Sequence, residues 1–558
     1  MRSTFNLVLC AVLVLSNGLP TIAASCPPLG PVFPARKDLA SSPSFQSALR
    51  NLSSLLDLAI NNNSNSSSGL PVRGDTYSIQ VFSGFDDSNL FETYHRGDNM
   101  SEHSAPVIDG DTVYRVASCS KLFTVFMLLV EAGDQIWTDP LSKHLPELRG
   151  EAAWEDVTVG AVAGQLAGIQ SDIVDLNTFL IPLLDYKYSN AYPPLEPQDE
   201  LPCKANITRC SREQFFESVK VSRFTYKPNT TPLYSNAGFA ILGYVLESIT
   251  GKPFDEVLEN IVVGPLGLSR TSASKPNESH VGAIKYNETF SSWNLDITDV
   301  TGEGGIFSSA NDMSTLGRAI LNSTLLPLNT TRAWLKPATF TSSFTVAVGR
   351  PWEIFRAAVG DSSKNRIVDL YTKGGSLPTF ESILALIPDF NVGFVVLLST
   401  DATSQFPIAE LIANTLIPAL DEAGREEADA AFSGHYIANG ALNSSVTISS
   451  IANEAGLILE SWISNGTDML LDLDPSNSGF RLLPSNVEEE KTTISAWKAE
   501  PNSQADRKIM FGSCVSWLQV GRNSYGKYVL DDFVFHLDAE KKATSVSIDA
   551  LRIVLEKQ

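Results

Sequence analysis

The sequence predicts an α+β protein with a separate antiparallel β domain at its C-terminal end. Apolar and polar residues alternate over 74–117, which is typical of antiparallel strands. Residues 119–133 then form an apolar stretch that would bury most faces of a helix. Beyond residue 432, short alternating stretches predominate up to Gln558, which indicates a second, strand-rich unit.

The composition is that of a folded, acidic protein. The chain has 558 residues, of which 43% are hydrophobic, so it can bury a sizeable core. It carries 41 Lys and Arg against 63 Asp and Glu, a formal net charge of −22. We expect no nucleic-acid partner, because this charge repels phosphates. We predict no metal or cofactor, because the six histidines have no ligand-like spacing and no Gly-rich phosphate loop occurs. The sequence leaves the oligomeric state open.

Residues 1–24 are predicted to be a secretory signal peptide. Arg2 precedes an apolar stretch, and small residues follow at Ala23 and Ala24, after one of which we expect cleavage. The apolar stretch is shorter than the roughly 20 residues that a membrane span needs. The sequence therefore predicts a secreted, extracellular protein without a membrane anchor.

Twelve Asn-x-Ser/Thr sequons agree with secretion and are candidate glycosylation sites. They are Asn51, Asn62, Asn65, Asn99, Asn206, Asn229, Asn277, Asn287, Asn322, Asn329, Asn443 and Asn465.

The cysteines also fit an oxidising compartment. Cys203 and Cys210 share one polar, loop-like segment, so we predict a disulfide between them. A second bridge would use two of Cys26, Cys119 and Cys514. Pairing Cys26 with Cys514 would leave Cys119 as a buried thiol.

The remaining chain divides into three segments. Residues 25–74 are predicted as an extended and helical N-terminal segment, 75–425 as the main domain and 430–558 as the β-rich domain, with the charged stretch 422–430 as a linker. Leucines recur at helical spacing over 46–60. Within the main domain, the patterns predict helices that end at Gly251 and span 309–322 and 407–420, and paired strands over 380–387 and 391–399.

The stretch Ser118-Cys119-Ser120-Lys121 is the first candidate for chemistry. Its serine closes a predicted strand, and its lysine lies three residues further on, at the start of the buried helix. A spacing of three residues puts both side chains on the same helical face. A serine hydroxyl needs a neighbouring base, and burial disfavours the charged form of a lysine, which makes it a usable proton acceptor.

Two further motifs lie far away in the sequence. Tyr234-Ser235-Asn236 precedes a predicted helix, and Lys373-Gly374-Gly375 follows a predicted strand and precedes Ser376. Ser-x-x-Lys, a middle motif that ends in Asn, and Lys-x-Gly form the three-part pattern of β-lactamases and penicillin-binding proteins. Over roughly 75–425 the sequence resembles this serine β-lactamase family, in particular the branch of class C β-lactamases, D-Ala-D-Ala carboxypeptidases and esterases.

The resemblance implies a β-lactamase/transpeptidase-like fold, in which helices flank an antiparallel sheet beside an all-helical part. It also implies that Ser118 attacks an acyl carbon and that Lys121 and Tyr234 share the proton transfers, with the acylation base left open between them. Lys373 would supply positive charge to the site and to a substrate carboxylate. The backbone N–H groups of Ser118 and Ser376 would form an oxyanion hole. The implied substrate-binding residues are Asn236, Gly374, Gly375 and Ser376.

Three departures from the family pattern bear on the substrate. Gly374 replaces a threonine that hydrogen-bonds a substrate carboxylate, Gln165 replaces a histidine, and 175–215 is a long insertion. The predicted function is therefore a secreted serine hydrolase of small-molecule esters, thioesters or amides. An acyltransferase or D-amino-acid peptidase with the same site is one alternative. A non-catalytic binding protein that keeps the fold is another.

Overall fold

The structure is a computed structural model. It describes residues 24–61, 70–172, 196–203, 210–295, 301–359, 366–401, 403–474, 479–485, 493–501, 504–505 and 516–558. The chain forms two compact units, a larger one made of 29–359 and 367–431 and a smaller one made mainly of 432–558. No helix in the described part of the chain combines the length and the apolar character that crossing a membrane requires.

The larger unit is built on an eight-stranded sheet whose neighbouring strands, where their register is given, are antiparallel. Its strands in chain order are β1 (Thr76–Ser83), β2 (Asn89–His95), β3 (Thr339–Phe340), β4 (Val346–Val348), β5 (Glu353–Val359), β6 (Arg366–Leu377), β7 (Phe380–Ile387) and β8 (Val392–Ser399). Their order across the sheet is β2-β1-β8-β7-β6-β5-β4-β3. The first strand thus pairs with the last one, which joins distant parts of the chain into one sheet.

Helices cover both faces of this sheet. In chain order the α-helices among the described residues, of which the last belongs to the smaller unit, are α1 (Pro43–Asn61), α2 (Ser120–Ala132), α3 (Leu141–His144), α4 (Val159–Ala163), α5 (Arg212–Val221), α6 (Asn236–Thr250), α7 (Phe254–Leu258), α8 (Gly264–Leu266), α9 (Thr301–Gly304), α10 (Ala310–Leu321), α11 (Leu328–Trp334), α12 (Gln405–Phe432) and α13 (Met469–Leu473). The apolar sides of α1 and α12 pack on one face of the sheet. The other face packs against a larger apolar cluster that includes α2, α6 and α10.

Helix α2 is the centre of that larger cluster. Its side chains are buried from Ser120 through Leu129, as the continuous apolar stretch predicts. Helix α6 packs beside it and ends at Gly251, whose φ of 68° lies in the left-handed region that a glycine adopts without strain. Because α2 and α6 pack together at their N-terminal parts, the motifs at the starts of both helices come close in space.

One local prediction was wrong. The charged stretch 422–430 is not a linker but the last part of α12. Its alanines and glutamates favour helix formation, and Ala423 and Ala428 are buried. An ion pair between Arg425 and Glu422, one turn apart, adds to the helical geometry.

The smaller unit is a nine-stranded antiparallel sheet. Its strands are β9 (Gly434–Ala438), β10 (Ser445–Ser449), β11 (Leu457–Ser464), β12 (Thr467–Asp468), β13 (Phe480–Pro484), β14 (Ile494–Pro501), β15 (Asp532–Leu537), β16 (Ala543–Ile548) and β17 (Ile553–Lys557). Strand β10, at one end of the order, also pairs with β11 near the other end, so the sheet closes on itself. The predicted α+β fold with a C-terminal antiparallel domain is confirmed.

Candidate active site

Ser118 lies in a sharp turn between a short strand and α2. The strand Val113–Arg115 leads into a single 3₁₀ turn, Ala117–Cys119, and α2 follows at once. Ala117 has a φ of 46°, an unusual conformation for a residue with a side chain. The turn leaves Ser118 partly exposed while its neighbours on both sides are buried. Such local strain is typical of functional sites.

Lys121 stands on the first turn of α2 and is fully buried. Its Nζ lies 3.0 Å from Ser118 Oγ and 2.7 Å from Asn236 Oδ1. It also donates to the backbone oxygen of Glu303 in α9. The structure therefore brings Ser118 and Asn236, which belong to two distant motifs, into contact with the amine of Lys121.

The surroundings of this amine lower its pKa. Burial is the main cause of the lowered pKa of Lys121, and the charge of Lys373 lowers it further. Tyr234 and Glu303 act in the opposite direction. The carboxyl of Glu303 is itself affected, since burial raises its pKa to about 7.

The phenol of Tyr234 lies between the two lysines of the site. Lys121 Nζ is 5.1 Å and Lys373 Nζ is 5.2 Å from the centre of its ring. The side chain is 38% exposed, so it can reach a bound substrate. The structure thus brings Tyr234 next to both lysines of the site.

Gln165 holds the loop that carries Tyr234. Its backbone oxygen accepts from Leu233 N at 2.8 Å, and its side-chain Oε1 accepts from Ser235 N at 2.8 Å. Ser235 in turn caps α6 by accepting from Gly238 N. Gln165, at the position where the family has a histidine, therefore holds both neighbours of Tyr234. Its backbone oxygen binds Leu233 and its side-chain amide binds Ser235.

Sequence reasoning missed Glu353, the partner of Lys373. Lys373 on β6 is 1% exposed, and its Nζ lies 2.5 Å from Glu353 Oε1 at the start of β5. Glu353 Oε2 also accepts from Gly374 N at 3.0 Å. Burial is the largest single effect and opposes the charge of Lys373, but the Glu353 carboxylate, together with Tyr234 and Cys119, raises the pKa of the lysine overall. The only local signal was one acid flanked by apolar residues in Trp352-Glu353-Ile354.

The two glycines of the third motif meet different surroundings. A Cβ on Gly375 would lie 2.4 Å from the backbone oxygen of Val116 and 2.8 Å from Ser118 N. The strand thus approaches the turn of Ser118 so closely that a side chain at this position has no room. On Gly374, a Cβ would meet the ends of side chains at 3.1 Å and beyond.

Ser376 follows these glycines at the exposed end of β6. Its hydroxyl lies 2.6 Å from Glu381 Oε1 on β7. Burial raises the pKa of Glu381 to about 7, and the bond from Ser376 opposes this increase.

Cys119, next to Ser118, has a packing role. It is a buried free thiol, and its Sγ lies 2.9 Å from the backbone oxygen of Lys373. Burial raises its pKa to about 11, which keeps the thiol protonated and unreactive at neutral pH. The side chain thereby joins the turn that carries Ser118 to β6, the strand that carries Lys373.

Several further predictions concern sites away from this cluster. The disulfide between Cys203 and Cys210 is present. Most of the insertion 175–215 lies outside the described residues, as do Cys514 and the sequons at Asn62, Asn65 and Asn206. The other nine sequon asparagines are exposed. In the described ranges, no group of three or more acids, histidines and cysteines is placed to hold a metal ion.

The chain is similar to known proteins over much of its length. The chain is 28% identical to the Beta-lactamase-like protein of Arthroderma benhamiae, over 97% of this chain and 98% of that protein. It is 24% identical to the D-alanyl-D-alanine-carboxypeptidase/endopeptidase AmpH of Escherichia coli, over 53% of this chain and 73% of that protein. An octameric penicillin-binding protein homologue from Pyrococcus abyssi matches with a TM-score of 0.49 and 16% identity, over 91% of this chain and 99% of that chain.

Two family profiles match adjoining parts of the sequence. Residues 424–558 match the profile described as Beta-lactamase-like-like, C-terminal domain. Residues 91–417, more than half of the chain, match the Beta-lactamase profile. This match spans Ser118, Tyr234 and Lys373 in their observed order. The chain therefore belongs to the Beta-lactamase family. Its relatives include hydrolases, such as the carboxypeptidase/endopeptidase named above.

Proposed function

We propose that the chain is a secreted serine acyl hydrolase that cleaves an ester, thioester or amide bond through an acyl-enzyme on Ser118. The observation that carries the proposal is the distance of 3.0 Å between Ser118 Oγ and the buried amine of Lys121. A lysine becomes a proton acceptor when its charged form is disfavoured, and the pKa of Lys121 is lowered by burial. A relative named as a carboxypeptidase supports the same class of reaction.

The reaction divides into two acyl transfers. Ser118 Oγ bonds to the acyl carbon as its proton passes to Lys121 or Tyr234, and the carbonyl oxygen becomes an oxyanion facing the backbone N–H groups of Ser118 and Ser376. The intermediate then expels the leaving group, which takes up the transferred proton. In the second step, water attacks the acyl-enzyme, loses a proton to the same base, and releases the acid and free Ser118.

The positions of Asn236 and Lys373 support this sequence of steps. Asn236 Oδ1 holds the Lys121 amine next to the nucleophile, while its Nδ2 donates to Asp172 Oδ1 at 2.8 Å. The ammonium of Lys373 lies 5.2 Å from the centre of the Tyr234 ring and supplies positive charge beside that phenol.

Covalent labelling tests the proposal. We expect a fluorophosphonate probe to add one adduct mass, localised to Ser118 by peptide mapping, and the purified chain to hydrolyse a 4-nitrophenyl ester. Ser118→Ala should lose both activities. Ser54→Ala, a matched change at an exposed position on α1, should keep both. Unchanged labelling or turnover in Ser118→Ala would contradict the mechanism, and the binding-protein alternative requires that no adduct forms.

Secretion is a separate part of the proposal. The disulfide at Cys203 and Cys210 and the exposure of nine sequon asparagines support it, because disulfides persist in oxidising compartments and glycans need surface positions. After expression in a eukaryotic host, the protein should be recovered from the medium with an N-terminus at Ala24 or Ser25. Its mass should fall on treatment with an N-glycosidase. Retention of residues 1–24 would contradict the predicted cleavage.

A further inference from the structure

An internal carboxylate occupies the positive end of the candidate active site. Glu353 Oε1 binds the ammonium of Lys373 at 2.5 Å, and Oε2 accepts from the backbone amide of Gly374 at 3.0 Å. An ammonium beside a free backbone N–H is a pair of donors suited to a carboxylate. In this chain Glu353 already takes both donors, and Lys373 is buried beneath it.

The space beside Gly374 is unfavourable for the binding of a second anion. A Cβ at this position would lie 3.4 Å from Glu353 Oε2, 3.3 Å from the ring of Phe406 and 3.1 Å from the side-chain nitrogen of Gln405. A substrate carboxylate here would therefore meet a negative charge at contact distance, beside an aromatic face. The ring of Phe406 is 45% exposed and offers an apolar surface instead.

Two more acidic side chains touch the predicted substrate-binding residues. Asp172 is exposed and accepts from Asn236, and Glu381 accepts from the hydroxyl of Ser376. The side-chain nitrogen of Asn236 and the hydroxyl of Ser376 thus already donate to carboxyl groups of the chain itself. A substrate carboxylate would have to displace these groups before it could accept from either donor.

We propose that the enzyme selects acyl substrates that carry no carboxylate next to the scissile bond, and that Glu353 sets this preference by occupying the carboxylate-binding donors. The inference rests on the proposed function, because it concerns the substrate of the same site. Selectivity here arises from a repulsive element, the fixed charge of Glu353, as well as from the apolar contact with Phe406.

A matched pair of esters tests the preference. The two substrates are 3-(butanoyloxy)benzamide and 3-(butanoyloxy)benzoate, which differ only by a neutral amide and a carboxylate on the leaving group. For the full-length chain we expect kcat/KM to be at least tenfold higher for the benzamide. Glu353→Gln keeps the hydrogen-bond acceptor and removes the charge, so it should reduce this ratio at least fivefold, chiefly by lowering KM for the benzoate. Glu410→Gln, a matched change at an exposed position on α12, should leave the ratio unchanged.

A second variant keeps the test valid if Glu353→Gln folds poorly. Phe406→Arg places a cation beside Gly374 at a side chain that is already exposed, and should raise kcat/KM for the benzoate at least fivefold. Turnover that depends on Ser118 and shows no preference between the esters, or a ratio that neither variant changes, would overturn this inference alone. If Ser118→Ala removed no turnover, or neither ester were hydrolysed, the proposed function would be overturned together with it.

Discussion

Lys121 and Lys373 are both fully buried in one site, yet their pKa values change in opposite directions. The amine of Lys121 is surrounded by neutral oxygens, from Ser118, Asn236 and the backbone of Glu303, and its pKa is lowered. The amine of Lys373 is bound to the carboxylate of Glu353, and its pKa is raised.

The difference shows that burial alone does not assign a chemical role to a lysine. Burial acts against the charge of both residues, and a direct carboxylate partner reverses the outcome for one of them. One lysine is thus suited to accept a proton from Ser118, while the other remains a fixed positive charge beside Tyr234. Four predictions test or sharpen this contrast, from the largest expected effect to the smallest.

Removing the amine that accepts protons should have the largest effect. We expect Lys121→Met to lower kcat/KM for a 4-nitrophenyl ester about 1,000-fold, because a positioned general base contributes factors of this size. Lys252→Met, at an exposed position beyond the C-terminal end of α6, is the matched control. If Lys121→Met kept more than a tenth of the activity, Tyr234 would have to be the acylation base.

Removing Glu353, the carboxylate partner of Lys373, should lower the stability of the protein. Glu353→Ala leaves Lys373 buried without its carboxylate, and we expect it to lower the free energy of unfolding by about 2–3 kcal/mol, less than for a fully buried pair because Glu353 is partly exposed. Urea unfolding at pH 7 measures this loss, with Glu410→Ala as the control.

The pH dependence of this loss has a definite sign. Because the folded pKa of Lys373 is raised, its contribution is fully present below the ordinary lysine value of 10.5 and disappears as pH rises through the folded pKa. In Glu353→Ala, burial without the carboxylate lowers the folded pKa of Lys373, so the variant regains stability as that lysine loses its proton. The difference between wild type and Glu353→Ala should therefore be largest at pH 6 and should not increase up to pH 9, and a difference that grew with pH in this interval would contradict the assignment of the charge to Lys373.

Removing the hydrogen bond that holds the Tyr234 loop should have a smaller effect on activity. Gln165→Ala removes the acceptor for Ser235 N and loosens the loop beside the phenol, so we expect kcat to fall about tenfold with little change in KM. Gln165→Glu keeps the accepting oxygen and should restore most of the activity. A parallel loss in both variants would indicate a general packing role instead.

The smallest effect should come from the carboxyl near Lys121. The charge of Glu303 raises the pKa of that lysine, so Glu303→Gln should lower it and extend the neutral amine to lower pH. We expect the acidic limb of the profile of kcat/KM against pH to move to lower pH, with a gain of about two- to fivefold on that limb. A limb that moved to higher pH would show that Glu303 itself acts as the base.

The main elements followed from local sequence patterns. The apolar stretch at 119–133 predicted α2, and the apolar stretches at 380–387 and 391–399, with a Pro-Asp-Phe-Asn turn between them, predicted β7 and β8. The stretch 422–430 was misassigned because its charge was taken as a sign of a linker, whereas its residues are good helix formers at the end of α12. Motif spacing and order then indicated which residues belong to one site.

The sequence alone identified the residues of the site and a fold that can bring them together, because each motif is a short local pattern. These residues are Ser118, Lys121, Tyr234, Asn236 and Lys373. The partners of those residues were not readable in this way. Glu353 binds Lys373 and Gln165 holds the Tyr234 loop through contacts between elements that are 20 and about 70 residues apart. Such contacts depend on how strands and helices pack, and they decide which lysine has a lowered pKa, which has a raised pKa, and which donors remain for a substrate.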